Sequence, residues 1–144
     1  MAHSSKHFKD ESGKPSVNQT PTRGMDQGQL DFELEFFQAI LAQHPNYVEV
    51  LRALGQLLTL KGRYPEVLQI DKRLVQLRSS DPLAHYNLAC SYALLKRADL
   101  SIKTLQRAIE LGYRDFRYMR EDRDLDAIRH DPRFRQLLRE YENR

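Results

Sequence analysis

The sequence predicts an all-α protein built from helix–turn–helix repeats. The chain has 144 residues, with few glycines and prolines and no regular β pattern. Residues 48–81 and 82–115 align with each other without a gap. Only six of the aligned positions are identical, but bulky and small side chains follow the same order in both stretches. A period of about 34 residues is typical of helix pairs that bury their core by stacking on their neighbours.

Each repeat is predicted to contain a helix A and a helix B joined by a tight turn. The predicted helices span 47–60 and 64–77 in repeat one, and 83–95 and 98–111 in repeat two. Gly62 suits the left-handed conformation that often ends a helix. Lys96 occupies the same place in repeat two. Ser101 and Ala108 are small, and we expect both to be buried where helices cross closely.

The segments on either side of the two repeats are predicted to cover the ends of the stack. Residues 29–47 are predicted to form a half-repeat, although apolar and polar side chains alternate at the start of this segment and would also suit a short strand. The period fades beyond Tyr113, and residues 116–144 are predicted to form a C-terminal cap with apolar Phe134, Leu137 and Leu138. Residues 1–28 are polar and almost free of apolar side chains, so we expect a disordered tail.

Over roughly residues 30–142 the chain resembles the tetratricopeptide repeat (TPR) family. The matching positions are Leu54-Gly55 and Leu88-Ala89 at the helix crossing, Leu58 and Tyr92 one turn later, and Gly62 and Tyr64 at the turn. The chain departs from the family pattern at four residues: Leu51 and His85 stand at the family's tryptophan position, Lys96 replaces the turn glycine, and Asp71 stands where an apolar residue is usual. The resemblance implies an α-solenoid whose A helices line a concave groove for a peptide or a partner helix.

The groove positions implied by the resemblance carry a mixture of polar and apolar side chains. The candidate binding residues are Arg52, Gln56, Tyr86, Asn87, Cys90 and Leu94. Three of them, Arg52, Gln56 and Asn87, are partly similar to the set with which some TPR domains clamp a C-terminal carboxylate. We therefore expect a protein or peptide partner and no catalysis.

The ionisable residues do not favour an enzyme or a metal protein. Cys90 is the single cysteine, which excludes an internal disulfide and a cysteine-based zinc module. His85 lies five residues earlier, about 140° away around a helix, so the two side chains point apart. Asp71 lies on an otherwise apolar helix face, and we expect it to face solvent and pair with Arg78, Lys72 or a basic residue of the next helix. No cofactor is predicted.

Charge and length limit the remaining function classes. The chain has 23 basic and 20 acidic residues, and they are interspersed. Arginines recur at 114, 117, 120 and 123, but interleaved acidic residues favour local ion pairs over a phosphate-binding stripe. The N-terminus lacks the apolar run of a signal peptide, which predicts a cytoplasmic protein. Two alternatives to a peptide-binding adaptor stay open: a homodimer formed through Leu60, Leu83, Tyr86 and Leu94, and RNA binding through the C-terminal arginines.

Overall fold

The described part of the chain folds into consecutive helix pairs. The computed structural model describes residues 26–144, so nearly all of the predicted tail lies outside the described residues. Seven α-helices and one 3₁₀ helix, η1, follow one another in this part of the chain: α1 Gln27–Gln43, α2 Val48–Leu60, α3 Tyr64–Leu77, α4 Pro82–Leu94, α5 Ala98–Glu110, α6 Phe116–Glu121, η1 Arg123–Ile128 and α7 Pro132–Glu142. No strand occurs among residues 26–144, and α1 is helical throughout. The predicted all-α class is therefore confirmed.

The repeat period extends through the whole described chain. The A helices begin at Val48 and Pro82, and the next helix, α6, begins at Phe116, again one period later. The B helices α3, α5 and α7 begin at Tyr64, Ala98 and Pro132 with the same spacing. The expectation that the period fades beyond Tyr113 is wrong for the backbone. Side chains vary in this region, but a third helix pair still follows the first two.

The A-to-B turns of the first two pairs have the same geometry despite different residues. Gly62 has a φ angle of 70° and Lys96 a φ angle of 61°. The amide of Arg63 donates to the carbonyl of Leu58 at 2.9 Å, and that of Arg97 donates to Tyr92 at 2.9 Å. Stacking of the helix pairs thus holds Lys96 in a left-handed conformation that non-glycine residues adopt only at a cost.

The small residues of α5 lie at its crossing with α4, as predicted. Ser101 and Ala108 are fully buried, and the Ser101 hydroxyl donates to the backbone carbonyl of Ala89 at 2.8 Å. A side chain larger than serine or alanine would hold the two backbones apart at this point. The repeat register predicted from the sequence is therefore the one that the helices adopt.

The prediction that Asp71 faces solvent is wrong. The side chain is 1% exposed, and its carboxylate accepts a 2.5 Å hydrogen bond from the hydroxyl of Ser91 on the next helix, α4. One period later, Leu105 and Leu125 share an apolar cluster. The junction between repeats one and two thus holds the polar pair Asp71 and Ser91. The equivalent junction between repeat two and the third helix pair holds apolar residues instead. The hydrogen bond from the Ser91 hydroxyl offsets part of the cost of burying this carboxylate.

The third pair differs from the others because its A helix is broken. α6 ends before Asp122, which has an extended backbone and caps η1 by accepting from the amide of Asp124 at 3.0 Å. The break lets η1 pack closely on α4. α7 buries Phe134, Leu137 and Leu138 in the same core cluster as α4 and α5, as predicted for the C-terminal cap.

Candidate binding surface

The predicted groove residues lie on two neighbouring A helices. Arg52 and Gln56 are on α2, while Tyr86, Asn87, Cys90 and Leu94 are on α4. The two α2 residues and Leu94 are partly exposed. In contrast, Tyr86, Asn87 and Cys90 are buried, with only 2%, 5% and 1% of their surface exposed. The structure therefore divides the six residues between two helices and does not leave them on one open surface.

The C-terminal segment covers the α4 part of this surface. The hydroxyl of Tyr86 donates to the carboxylate of Asp122 at 2.6 Å, and the Cys90 thiol lies 3.8 Å from the same oxygen. The ring of Tyr86 stacks on that of Tyr113, with centroids 4.2 Å apart and planes 1° from parallel. The prediction that Tyr86 and Cys90 face a partner is thus wrong for this conformation, because the broken third A helix occupies their side of α4.

The tyrosines of this cluster are held in their neutral form. Burial raises the pKa of Tyr86 well above its ordinary value, and the neighbouring Cys90 and Asp122 raise it further. Burial is also the main cause of the raised pKa values of Tyr113 and Tyr118, followed by the charges of Asp115 and Asp122 respectively. A neutral Tyr86 remains a hydrogen-bond donor, so it can keep its bond to the Asp122 carboxylate over the physiological pH range.

Cys90, Asp122 and Asp124 place three potential metal ligands within 4.8 Å of one another. All three side chains are buried. Asp122 already accepts from the Tyr86 hydroxyl and from the Asp124 amide, and its own carbonyl accepts from Arg129 at 2.5 Å. We therefore assign the cluster a structural role, which is to fix the break in the third A helix against α4.

The α2 part of the surface stays accessible. Arg52 donates to Asp81 at 3.2 Å, and the same carboxylate caps α4 through the amide of Leu83. Gln56 is partly exposed and its side chain makes no hydrogen bond among residues 26–144, while Leu60 is 47% exposed. The three donors proposed for a carboxylate clamp do not converge, because Arg52 is paired and Asn87 is buried. The open surface is the face of α2 that carries Arg52, Gln56 and Leu60.

A pocket lies at the C-terminal end of the stack, where the sequence predicted no binding site. It is a pocket of about 370 Å³ lined by Arg120, Arg129, His130, Phe134, Arg135, Leu138 and Arg139. We call it the arginine pocket. The arginine spacing noted in the sequence contributes only Arg120 to it. The sequence could have indicated the pocket through Arg135 and Arg139, which lie one turn apart on α7.

Two of the other arginines of that sequence spacing, Arg114 and Arg117, contact groups that are near in the sequence. Arg114 donates to the backbone carbonyls of Ile109 and Tyr113, and Arg117 lies 3.6 Å from Glu121. Arg120 pairs with Glu142 on α7. The predicted local ion pairing is confirmed for Arg117, and Arg120 finds its acidic partner 22 residues further along the chain.

Comparison with known proteins gives one partial similarity. No family model matches the chain. The chain is 32% identical over 87 residues to a protein of Arabidopsis thaliana whose name describes it as chloroplastic, a match that covers 56% of this chain and 25% of the plant protein. The chain thus spans about a quarter of the length of this relative. None of the helices within residues 26–144 combines the length and apolar character needed to cross a membrane.

Proposed function

We propose that this chain is a non-catalytic, TPR-like interaction module that binds a short segment of a partner protein on the exposed face of α2. The observation that carries the proposal is the set of three accessible side chains one turn apart, Arg52, Gln56 and Leu60. They combine a cation, an uncommitted amide and an apolar group on a rigid helix. Such a surface recognises a peptide through a few contacts on a preformed support.

The size of this face indicates a short ligand. The distance from Arg52 to Leu60 is about 12 Å along the helix axis, at a rise of about 1.5 Å per residue. An extended peptide covers that distance with about four residues. Because Arg52 already shares its charge with Asp81, we expect the apolar contact with Leu60 and the amide of Gln56 to contribute most of the affinity.

The alternatives open at the sequence level receive less support. Self-association through the A-helix face would use Tyr86, which is 2% exposed and bonded to Asp122. RNA binding would use the arginines at 114, 117, 120 and 123, of which Arg114 already contacts backbone carbonyls, Arg117 lies near Glu121 and Arg120 pairs with Glu142. A catalytic role for Cys90 would need a reachable thiol, and this one is 1% exposed. The cytoplasmic location stays a prediction, and the name of the plant relative assigns that protein to the chloroplast.

Site-specific photo-crosslinking tests this proposal. Benzoylphenylalanine replaces Glu49, an exposed residue of α2 one turn before Arg52, in one variant and Lys103, an exposed residue of α5, in a control variant. After irradiation in an extract of the source cells, we expect a discrete protein adduct at position 49 that the control does not form. Adding Leu60→Asp to the first variant should abolish the adduct without changing the helical circular-dichroism spectrum. Equal adducts at both positions, or none at position 49, would overturn the proposal.

A further inference from the structure

The two ends of the stack differ in charge, and the N-terminal end exposes aromatic side chains. Residues 26–43 contain four acidic residues and no lysine or arginine. On α1, Phe32 is 67% exposed and Phe36 is 54% exposed, one helical turn apart. Glu35 lies beside them and is also exposed. Aromatic side chains exposed to this extent on a terminal helix indicate a surface that another molecule covers.

Within residues 26–144, no helix precedes α1 to form a pair with it, whereas α3, α5 and α7 each follow an A helix. Val67 on α3 and Ser101 on α5 are buried against their own A helices, with 1% and 0% exposure. The equivalent residue of α1, Glu33, is only partly buried. The period would place an A helix for α1 at residues 14–26, but that stretch contains two prolines and few large apolar residues. Its sequence therefore lacks the apolar stripe needed to cover α1.

The opposite end of the stack carries the arginine pocket. Phe134 and Leu138 contribute to its lining with the small part of their surface that is exposed, and its volume of about 370 Å³ is large enough for an aromatic ring. Arg139 has no ion pair or hydrogen bond among residues 26–144, and the bond of Arg135 goes to the His130 ring at 3.1 Å. These two guanidinium groups, one turn apart on α7, are thus available to carboxylates. Arginine binds carboxylates with two parallel hydrogen bonds, which gives direction as well as affinity.

We propose that α1 of one copy binds the arginine pocket of a second copy. Phe32 or Phe36 enters the pocket over Phe134 and Leu138, and Glu35 meets Arg135 or Arg139. The occupant is a second copy because the acidic face of α1 and the arginine-lined pocket are complementary in charge. The contact joins two different surfaces, so the association is head-to-tail and yields open chains or closed rings.

The test uses two full-length variants that each lose one of the two surfaces. The head variant carries Phe32→Ser and Glu35→Lys, and the pocket variant carries Arg135→Glu and Arg139→Glu. All four side chains are exposed, so we expect both variants to fold like the wild type. A control variant, Arg78→Glu with Lys103→Glu, makes the same charge change as the pocket variant on exposed residues elsewhere.

Sedimentation velocity over a wide concentration range measures the outcome. The wild type and the control should grow in mass with concentration, and higher salt should weaken the association. Each surface variant alone should stay monomeric, with an affinity reduced by at least about tenfold. An equimolar mixture of the two should form a dimer and nothing larger, because one intact head meets one intact pocket.

Three results would overturn the proposal. The first is a wild type that stays monomeric at all concentrations, which would leave the exposed face to a different protein. The second is a pocket variant that still dimerises alone, because this would show pairing of α1 with α1. The third is a mixture of the two variants that stays monomeric although the wild type associates, which would exclude the head-to-tail contact.

Discussion

The hydrogen bond between Tyr86 and Asp122 should be a main link between the C-terminal segment and α4. The hydroxyl and the carboxylate lie 2.6 Å apart, and the two side chains are 2% and 3% exposed. Replacing Tyr86 with phenylalanine keeps the ring stacked on Tyr113 and removes only the donor. A buried hydrogen bond to a charged group contributes about 1.5–3 kcal/mol. We therefore expect Tyr86→Phe to lower the free energy of unfolding by about 2 kcal/mol.

Urea and thermal unfolding followed by circular dichroism measure this loss. For a domain of this size, about 2 kcal/mol corresponds to a fall in Tm of roughly 5–10 °C. The matched control is Tyr92→Phe on the same helix, because Tyr92 is 9% exposed and its hydroxyl bonds to no other residue within 26–144. The control should change stability by less than about 0.5 kcal/mol. Equal effects of the two substitutions would refute the role assigned to the Tyr86 hydroxyl.

Three further predictions concern the turn, the helix crossing and the last helix. Lys96→Gly should raise Tm by a few degrees because Lys96 has a φ angle of 61°, and Gly62→Ala at the equivalent turn should lower Tm by a similar amount. A lower Tm for Lys96→Gly or a higher Tm for Gly62→Ala would contradict the left-handed turn. Ala108→Leu should cost about 1–3 kcal/mol in urea unfolding, since Ala108 is fully buried, and wild-type stability would refute the register. Hydrogen bonds from Arg133 lower the pKa of Asp131 below its ordinary value of 3.8. The stability that the Asp131 carboxylate contributes is therefore present above pH 3.8 and lost as pH falls through the folded-state pKa. Stability measured against pH should thus fall less steeply in acid for Asp131→Asn than for the wild type, and identical profiles would contradict this role of Asp131.

Most of the fold could be predicted because its signals are local and repeat along the chain. The repeat period predicted where α2 to α5 begin and end to within about a residue, and Ser101 and Ala108 lie at the predicted crossing. Lys96 adopts the left-handed turn without the expected glycine. Its side chain departs from the pattern, but packing of the helices on either side decides its backbone conformation.

The binding surface could be predicted only in part because it depends on contacts between distant residues. Tyr86 and Cys90 occupy groove positions in the repeat, but Asp122, a full repeat further along the chain, breaks the third A helix and covers them. Asp71 likewise finds its partner in Ser91, which lies on the next helix. Periodicity describes which face a residue occupies. It does not indicate whether another part of the chain covers that face.

The reactivity of the single cysteine tests most directly whether the third repeat closes the α4 surface. Cys90 is 1% exposed beneath the C-terminal segment, and its thiol lies 3.8 Å from Asp122. With an excess of a chromogenic disulfide reagent, we predict that the native chain reacts at least about a hundredfold more slowly than the urea-unfolded chain. Tyr86→Phe should accelerate the native reaction, and the Tyr92→Phe control should not. A native thiol that reacts as fast as the unfolded one would show that the surface is open, and would contradict this account.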